Sequence, residues 1–174
     1  RHHPQVRIVA RVDRNGPLRQ ALAEEVLDLA LLWQTEDQGP GMGRCPLAWI
    51  AHPDLDIGAL LASGEPLPLV MFDSPCLMRS RAIACLDAAG IPWQVVFVSH
   101  SLNGIWAAVQ AGLGLTIRTR IGMPGNLRTV AGLLPSPGSL AVNLQQTPRE
   151  GQHSAAVALL GDLMTEALQG WVEM

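Results

Sequence analysis

Four short runs carry the polar residues that could hold or act on a small molecule: Asn15-Gly16-Pro17, Asp73-Ser74-Pro75-Cys76, Ser99-His100-Ser101 and Arg118-Thr119-Arg120. The first three fall where a strand pattern gives way to a helix pattern. A helix start presents N–H groups with no intrahelical partner, together with a partial positive potential, so it favours an anion such as a carboxylate. Asn and Ser are also ordinary N-caps there. Cap and ligand contact therefore both stand as readings of Asn15, Ser74, Ser99 and Ser101. Arg118 and Arg120 flank Thr119 at the end of an apolar run, where they could grip an anion bidentately. Their other reading is a solvated edge or ordinary salt bridges.

Nucleophilic and metal chemistry are weaker readings. Cys76 at a helix start would have a lowered thiol pKa. Its oxidation partner would be Cys45 or Cys85, but Cys85 lies roughly 13 Å along the same helix, too far for a disulfide. Cys76 or Ser74 as nucleophile with His100 as base would make an α/β enzyme, yet the chain has no GxSxG elbow. His2, His3, His52, His100 and His153 show no ligand spacing on one helix, and three cysteines without a CxxC argue against a zinc site or a disulfide framework. No metal and no cofactor are expected, and a reducing cytoplasm is the simplest compartment.

The elements that must position these residues can be read from periodicity. Val6, Ile8, Ala10 and Val12 alternate with Arg7, Val9 and Arg11, as in a strand. Leu18, Leu22 and Val26 follow at helical spacing, and Leu27 to Leu32 is an apolar run of the kind a buried parallel strand shows. Strands are also expected at Leu47–Ala51, Leu67–Phe72, Trp93–Val98, Leu113–Ile117, around Leu127–Val130, and at Leu140–Leu144. Helices are expected over Asp56–Ser63, after Cys76 with Ile83 and Leu86 facing the core, and after Ser101 with Leu102, Ile105, Trp106 and Val109 in a stripe. A last helix from about Ser154 keeps Val157, Leu160, Met164, Leu168 and Trp171 on one side. Alternating strands and helices give an α/β fold with a mainly parallel sheet.

Composition agrees with a folded domain that has a sizeable core. Of 174 residues, 48% are apolar and 16% charged, which excludes disorder. The net charge of −3 leaves no overall basic footprint for nucleic acid, although all 12 basic residues are Arg. No apolar run approaches the ~18 residues needed to span a bilayer, and RHHPQVR does not read as a secretory signal.

The run VRIVARVDRNGPLRQALAEEVLDLALL resembles the strand–helix–LDLAL unit in the C-terminal effector-binding domain of LysR-type transcriptional regulators. PLAWIAHPD resembles the strand of that domain that crosses into its second lobe. The segment from GEPLPLVMF to AVQAGLGLTIRTR resembles its second lobe and return strand. The resemblance covers nearly the whole chain, with Glu25 at a helix end where the family often has Gly. It begins at the domain's second strand. The winged helix-turn-helix that reads DNA, and the domain's own first strand and helix, are expected to lie outside this chain.

The resemblance implies two Rossmann-like α/β lobes joined by two crossing strands, like type 2 periplasmic binding proteins, with a small effector in the cleft between them. Residues 1–46 and 121–174 would form the first lobe and 47–120 the second. By alignment, Arg14 and Asn15 match a pocket loop of the first lobe, Cys76, Leu77 and Met78 one of the second, and Thr119 and Arg120 the return crossing. With Ser74, Ser99, His100 and Ser101 these are the candidate effector contacts. The implied function is ligand sensing without chemistry, in a cytoplasmic homodimer or homotetramer that meets DNA only through the helix-turn-helix. A solute-binding protein of a transporter is the alternative with the same architecture. The helices holding Ile83/Leu86 and Leu18/Leu22 are candidate pairing surfaces, or simply core.

Overall fold

Strand β1 (Leu29–Gln34) shows a strict alternation of half-buried and buried residues, and its buried row, Ala30, Leu32 and Gln34, shares one face. Helix α1 (Asn15–Ala23) covers that face, with Leu18 and Leu22 packed on Ala30 and Leu32. Full burial of one such leucine contributes about 2 kcal/mol. In the computed structural model, which describes residues 6–35, 41–147 and 155–170, the chain forms two units. The first comprises Arg1–Cys45 with Leu140–Met174, and the second Pro46–Ser139.

The first unit has a three-stranded sheet in the order β1-β8-β2, where β2 is Gly43–Pro46 and β8 is Ser139–Gln146. β1 and β8 are antiparallel, with Leu29 opposite Gln146 and Gln34 opposite Ala141. Opposed residues share a face, so Gln34 and Ala141 lie on the α1 side, and Leu144 and Gln146 on the other. Helix α5 (Ala155–Gln169) lies against that second side, with Gly161 close to Leu144 and Gln146. Thr147 locks the sheet to the end of α1, donating its hydroxyl to Leu22 O at 3.1 Å and its N–H to Asp28 O at 3.0 Å. After α1 the chain turns through Glu25, whose φ of +57° is a left-handed conformation. The position suits the glycine that the family often has there.

The segment Val6–Val12 is not a strand. It is exposed, with Val9 at 90% and Val12 at 99% of full accessibility. Alternation alone does not make a strand; its N–H and C=O groups need a neighbour to pair with, and no strand pairs with this segment among the described residues. The expected opening βαβ unit is therefore absent from the described residues.

The second unit is built around β3 (Ala48–Ala51), which lies between β6 (Thr116–Arg118) and β7 (Arg128–Val130), antiparallel to both. β4 (Leu67–Phe72) and β5 (Trp93–Ser99) are parallel, from Leu67 opposite Trp93 to Phe72 opposite Ser99. A parallel bridge from Leu69 to Leu115 extends that pair. Gly114 lets the two backbones meet there: a side chain at this position would overlap the Pro68 carbonyl. Among the described residues β1–β8, β3–β6 and β3–β7 are antiparallel, so the expectation of a mainly parallel sheet fails. The antiparallel partners of β3 come from segments that return along it.

Helices α2 (Ile57–Ser63), α3 (Leu77–Ala88) and α4 (Leu102–Gln110) belong to the same unit. Ile105, Trp106 and Val109 of α4 enter a core with Ile50, Val70 and Leu127. Leu102, the first residue of the expected stripe, stays exposed. On α3 the buried row is Met78, Ala82 and Leu86, so Ala82 and not Ile83 completes it. Residues 121–139, expected with the first lobe, belong to the second unit. β7 pairs with β3, Trp49 Nε1 donates to Pro135 O at 2.9 Å, and the Cys85 thiol donates to Ser136 O at 3.1 Å.

Candidate functional site

β4 and β5 end side by side, and the loops that leave them begin α3 and α4. The carboxyl ends of parallel strands are where open α/β folds hold ligands. Phe72, the last residue of β4, is opposite Ser99, the last of β5, and Asp73 N–H reaches Ser99 O at 3.4 Å. Asp73 Oδ2 lies 3.0 Å from His100 Nδ1; the carboxylate is mostly covered and the imidazole mostly exposed. Arg79, in the first turn of α3, bends back to donate to Phe72 O at 3.0 Å. It is half-buried.

The start of α3 is uncapped. Its N-cap is Cys76, in extended geometry and without a side-chain cap bond, and the first turn has no acidic residue. Ser80 makes the first intrahelical bond, to Cys76 O. The amides of Leu77, Met78 and Arg79 precede it, so this end carries positive potential. Ser74, expected as a cap, is exposed and lies before the helix, because Cys76 is still extended. At α4 the N-cap is Ser101, again without a side-chain cap bond. Ser99 instead braces that loop, accepting from Ser101 N–H at 3.0 Å and donating to Ser101 O at 3.2 Å.

Arg118 completes this cluster. It ends β6, opposite Ala48, and its guanidinium stacks 4.7 Å from the centroid of the Phe72 ring. Burial pulls its pKa below the ordinary value, while the Cys76 sulfur nearby acts the other way. A half-buried cation beside an aromatic ring and an uncapped helix start is complementary to a carboxylate or phosphate. Among the described residues no carboxylate forms an ion pair with it. Of the two arginines at this strand end, Arg118 turns inward and Arg120 is exposed; Thr119 is buried. Met78 is also buried and packs as core, while Cys76 and Leu77 are half-buried at the helix start.

In the first unit, Arg14 is exposed and is the N-cap of α1. Asn15 is not the cap. Its side chain clasps the backbone of Trp33, donating to Trp33 O at 2.6 Å and accepting from Trp33 N–H at 3.2 Å. This ties the start of α1 to the end of β1. Just before the helix, Asp13 accepts from the Arg11 side chain at 2.7 Å and from Arg14 N–H at 2.8 Å, and these bonds hold its carboxyl below the usual range.

An open groove of about 240 Å³ lined by His52, Leu55, Gln110 and Gly112 lies at the C-terminal end of α4, remote from the cluster around Phe72. None of Cys45, Cys76 and Cys85 forms a disulfide, and no group of three or more His, Cys, Asp or Glu could hold a metal among the described residues. His2, His3, His153 and Trp171 lie outside those residues.

The model of the LysR substrate binding domain matches residues 1–169. The chain belongs to this family. This LysR substrate-binding domain is 31% identical over 129 residues to the HTH-type transcriptional regulator PecT of Dickeya dadantii, covering 73% of this chain and 40% of PecT. The chain spans about half the length, or less, of the curated relatives it matches. Its fold is similar to the regulatory domain of CcmR from Synechocystis PCC6803 in complex with 2-PG. That comparison gives a TM-score of 0.70 at 15% identity, over 95% of this chain and 85% of that one. It is also similar to the effector-binding domain of QuiR in complex with shikimate, with a TM-score of 0.69 at 12% identity, over 92% and 80% of the two chains. These relatives are regulators and not enzymes, and nothing among them supports the transport alternative. No helix among the described residues is long and apolar enough to cross a membrane.

Proposed function

We propose that this LysR substrate-binding domain senses a small effector bearing a carboxylate or phosphate, and that the acid group is received at the carboxyl ends of β4 and β5. The carrying observation is Arg118, stacked on Phe72 beside the uncapped start of α3. Arg118 would grip the acid group, and the first amides of α3 would add hydrogen bonds and dipole. Ser99, His100 and Ser101 border the same place, with His100 oriented by Asp73. Ser74, Thr119 and Arg120 rank below these: Thr119 is buried, and Arg120 and Ser74 point to solvent. Arg14 and the backbone at Asn15 are the contacts proposed for the first unit, since the Asn15 amide is committed to Trp33.

That the CcmR and QuiR structures hold 2-PG and shikimate supports a small polar effector for this domain as well. In the whole protein, effector binding would bias a cytoplasmic homodimer or homotetramer, and DNA would be met by a helix-turn-helix outside this chain. An effector shifts such an equilibrium only by its differential affinity for the two states.

The test is a thermal-shift screen of the domain against small carboxylates and phosphates, neutral sugars and divalent metals. An acid that stabilises by mass action is the expected result. Stabilisation by sugars or metals alone would defeat the proposal.

A further inference from the structure

His100 is the first residue after β5, one step beyond the pairing of Ser99 with Phe72 that closes the parallel pair. Its backbone is pinned. Ser99 O accepts from Asp73 N–H at 3.4 Å, and Ser99 Oγ accepts from Ser101 N–H at 3.0 Å. Gly104 brings α4 so close to Ser99 that a side chain on Gly104 would overlap the Ser99 hydroxyl. The ring is held as well. It is 80% exposed, yet its Nδ1 lies 3.0 Å from Asp73 Oδ2, on a carboxylate that is mostly covered. An exposed side chain ordinarily turns on a nanosecond scale. Here two loops leaving adjacent strands fix an accessible imidazole in one orientation, at the end where Arg118 stacks on Phe72.

An ionised carboxylate only accepts hydrogen bonds, so Nδ1 is the nitrogen that donates toward Asp73. In the neutral ring this leaves Nε2 as a bare acceptor. Arg118 and the first amides of α3 are donors, suited to acid oxygens. Nε2 is suited to the opposite, a donor on the ligand. The guanidinium of Arg79, at Phe72 O, and that of Arg118 lie at the same end and repel an ammonium group, so the donor is a hydroxyl. We infer that His100 Nε2 accepts a hydrogen bond from a hydroxyl of the effector, and that the domain thereby selects hydroxylated acids over acids lacking the hydroxyl. This rests on the proposed acid site and names what the acid carries beside its acid group. Protonation of the ring turns Nε2 into a donor and cancels the selection. The other charged or titratable groups at this end are Asp73, Cys76, Arg79 and Arg118; the first turn of α4, Leu102-Asn103-Gly104, has none.

The test compares butyrate with 3-hydroxybutyrate, succinate with malate, and propyl phosphate with glycerol 3-phosphate, by calorimetry and thermal shift. In at least one pair the hydroxylated member should bind about tenfold tighter at about pH 8, and the ratio should fall towards one at about pH 5.5. Wherever malate binds, aspartate should bind more weakly. His100→Asn keeps a donor for Asp73 and lacks the outer ring nitrogen, and His100→Phe keeps the ring and lacks both nitrogens. Each should bring the hydroxylated member to the level of its parent and remove the pH dependence of the ratio, which separates the ring from Cys76. The ligand-free Tm of His100→Asn should stay within about 2 °C of wild type. A ratio near one at the higher pH, a ratio that ignores pH, a preference that survives both variants, or aspartate bound more tightly than malate would overturn the inference and leave the acid site standing. If no member of any pair shifts the Tm, the acid-sensing proposal falls, and the role of His100 falls with it.

Discussion

Arg118→Met isolates the acid site, because methionine keeps most of the side-chain volume over Phe72 and removes only the charge. In the ligand-free domain two terms oppose each other. The cation–π contact at 4.7 Å contributes about 0.5–1 kcal/mol. The partial burial that lowers the pKa of this arginine acts in the other direction, and it vanishes with the charge. The net change in stability should stay within about 1 kcal/mol, or about 2–4 °C in Tm for a chain of this length. Binding should respond far more. A hydrogen bond to a charged group contributes about 1.5–3 kcal/mol, whereas the start of α3, which remains, supplies about 0.3–1 kcal/mol through its dipole. Losing 2–3 kcal/mol weakens Kd by about 30- to 150-fold. Calorimetry with the best acid from the screen, beside thermal melts of both proteins, measures the two quantities together. Binding within threefold of wild type would refute the assignment of Arg118 as the acid receptor. A Tm lowered by more than about 8 °C would show instead that the guanidinium is structural.

Three further outcomes follow from the geometry. Glu25→Gly should stabilise the domain by about 0.5–1 kcal/mol in urea unfolding, because glycine adopts the left-handed φ of +57° without steric cost. Gly114→Ala should destabilise by about 2–3 kcal/mol, since its Cβ would meet the Pro68 carbonyl and neither backbone is free to retreat; an unchanged midpoint would contradict that packing. Burial raises the pKa of the Cys45 thiol above its usual 9.0. The folded state then keeps a proton that the unfolded chain releases. This stabilisation is complete below the unfolded pKa and is lost as pH rises past it, by at most about 1.4 kcal/mol per pH unit. Cys45→Ala should lose less Tm than wild type between pH 8 and pH 10.

What could be read from residue types was what local chemistry dictates. The apolar runs at Leu67–Phe72 and Trp93–Val98 are strands, and the stripe from Ile105 to Val109 is the buried face of α4. The resemblance to the LysR effector domain rested on the order of such segments, and the family match bears it out. Features that depend on which strand lies beside which were not legible. Val6–Val12 alternates as well as any strand, but alternation does not supply a neighbour. The residues from 121 to 139 join the second unit through β7 and the bonds to Pro135 and Ser136, none of which has a local signature. The same limit applied at the site. Arg118 and Arg120 are equivalent on paper, and only the position of Arg118 over Phe72, two strands earlier in the chain, distinguishes them.

The second unit is one unbroken stretch, Pro46–Ser139, and the peptide groups at its two ends are joined by a bond from Leu47 N–H to Gly138 O of 2.9 Å. A guest sequence whose entrance and exit are stapled together loads its host as a short closed loop would. Once folded, it imposes little of the closure entropy that so long an insertion would otherwise carry. The outer unit, assembled from two distant pieces of polypeptide, can thus join β1 to β8 across more than a hundred residues at the entropic cost of a tight turn, provided the insert has folded first.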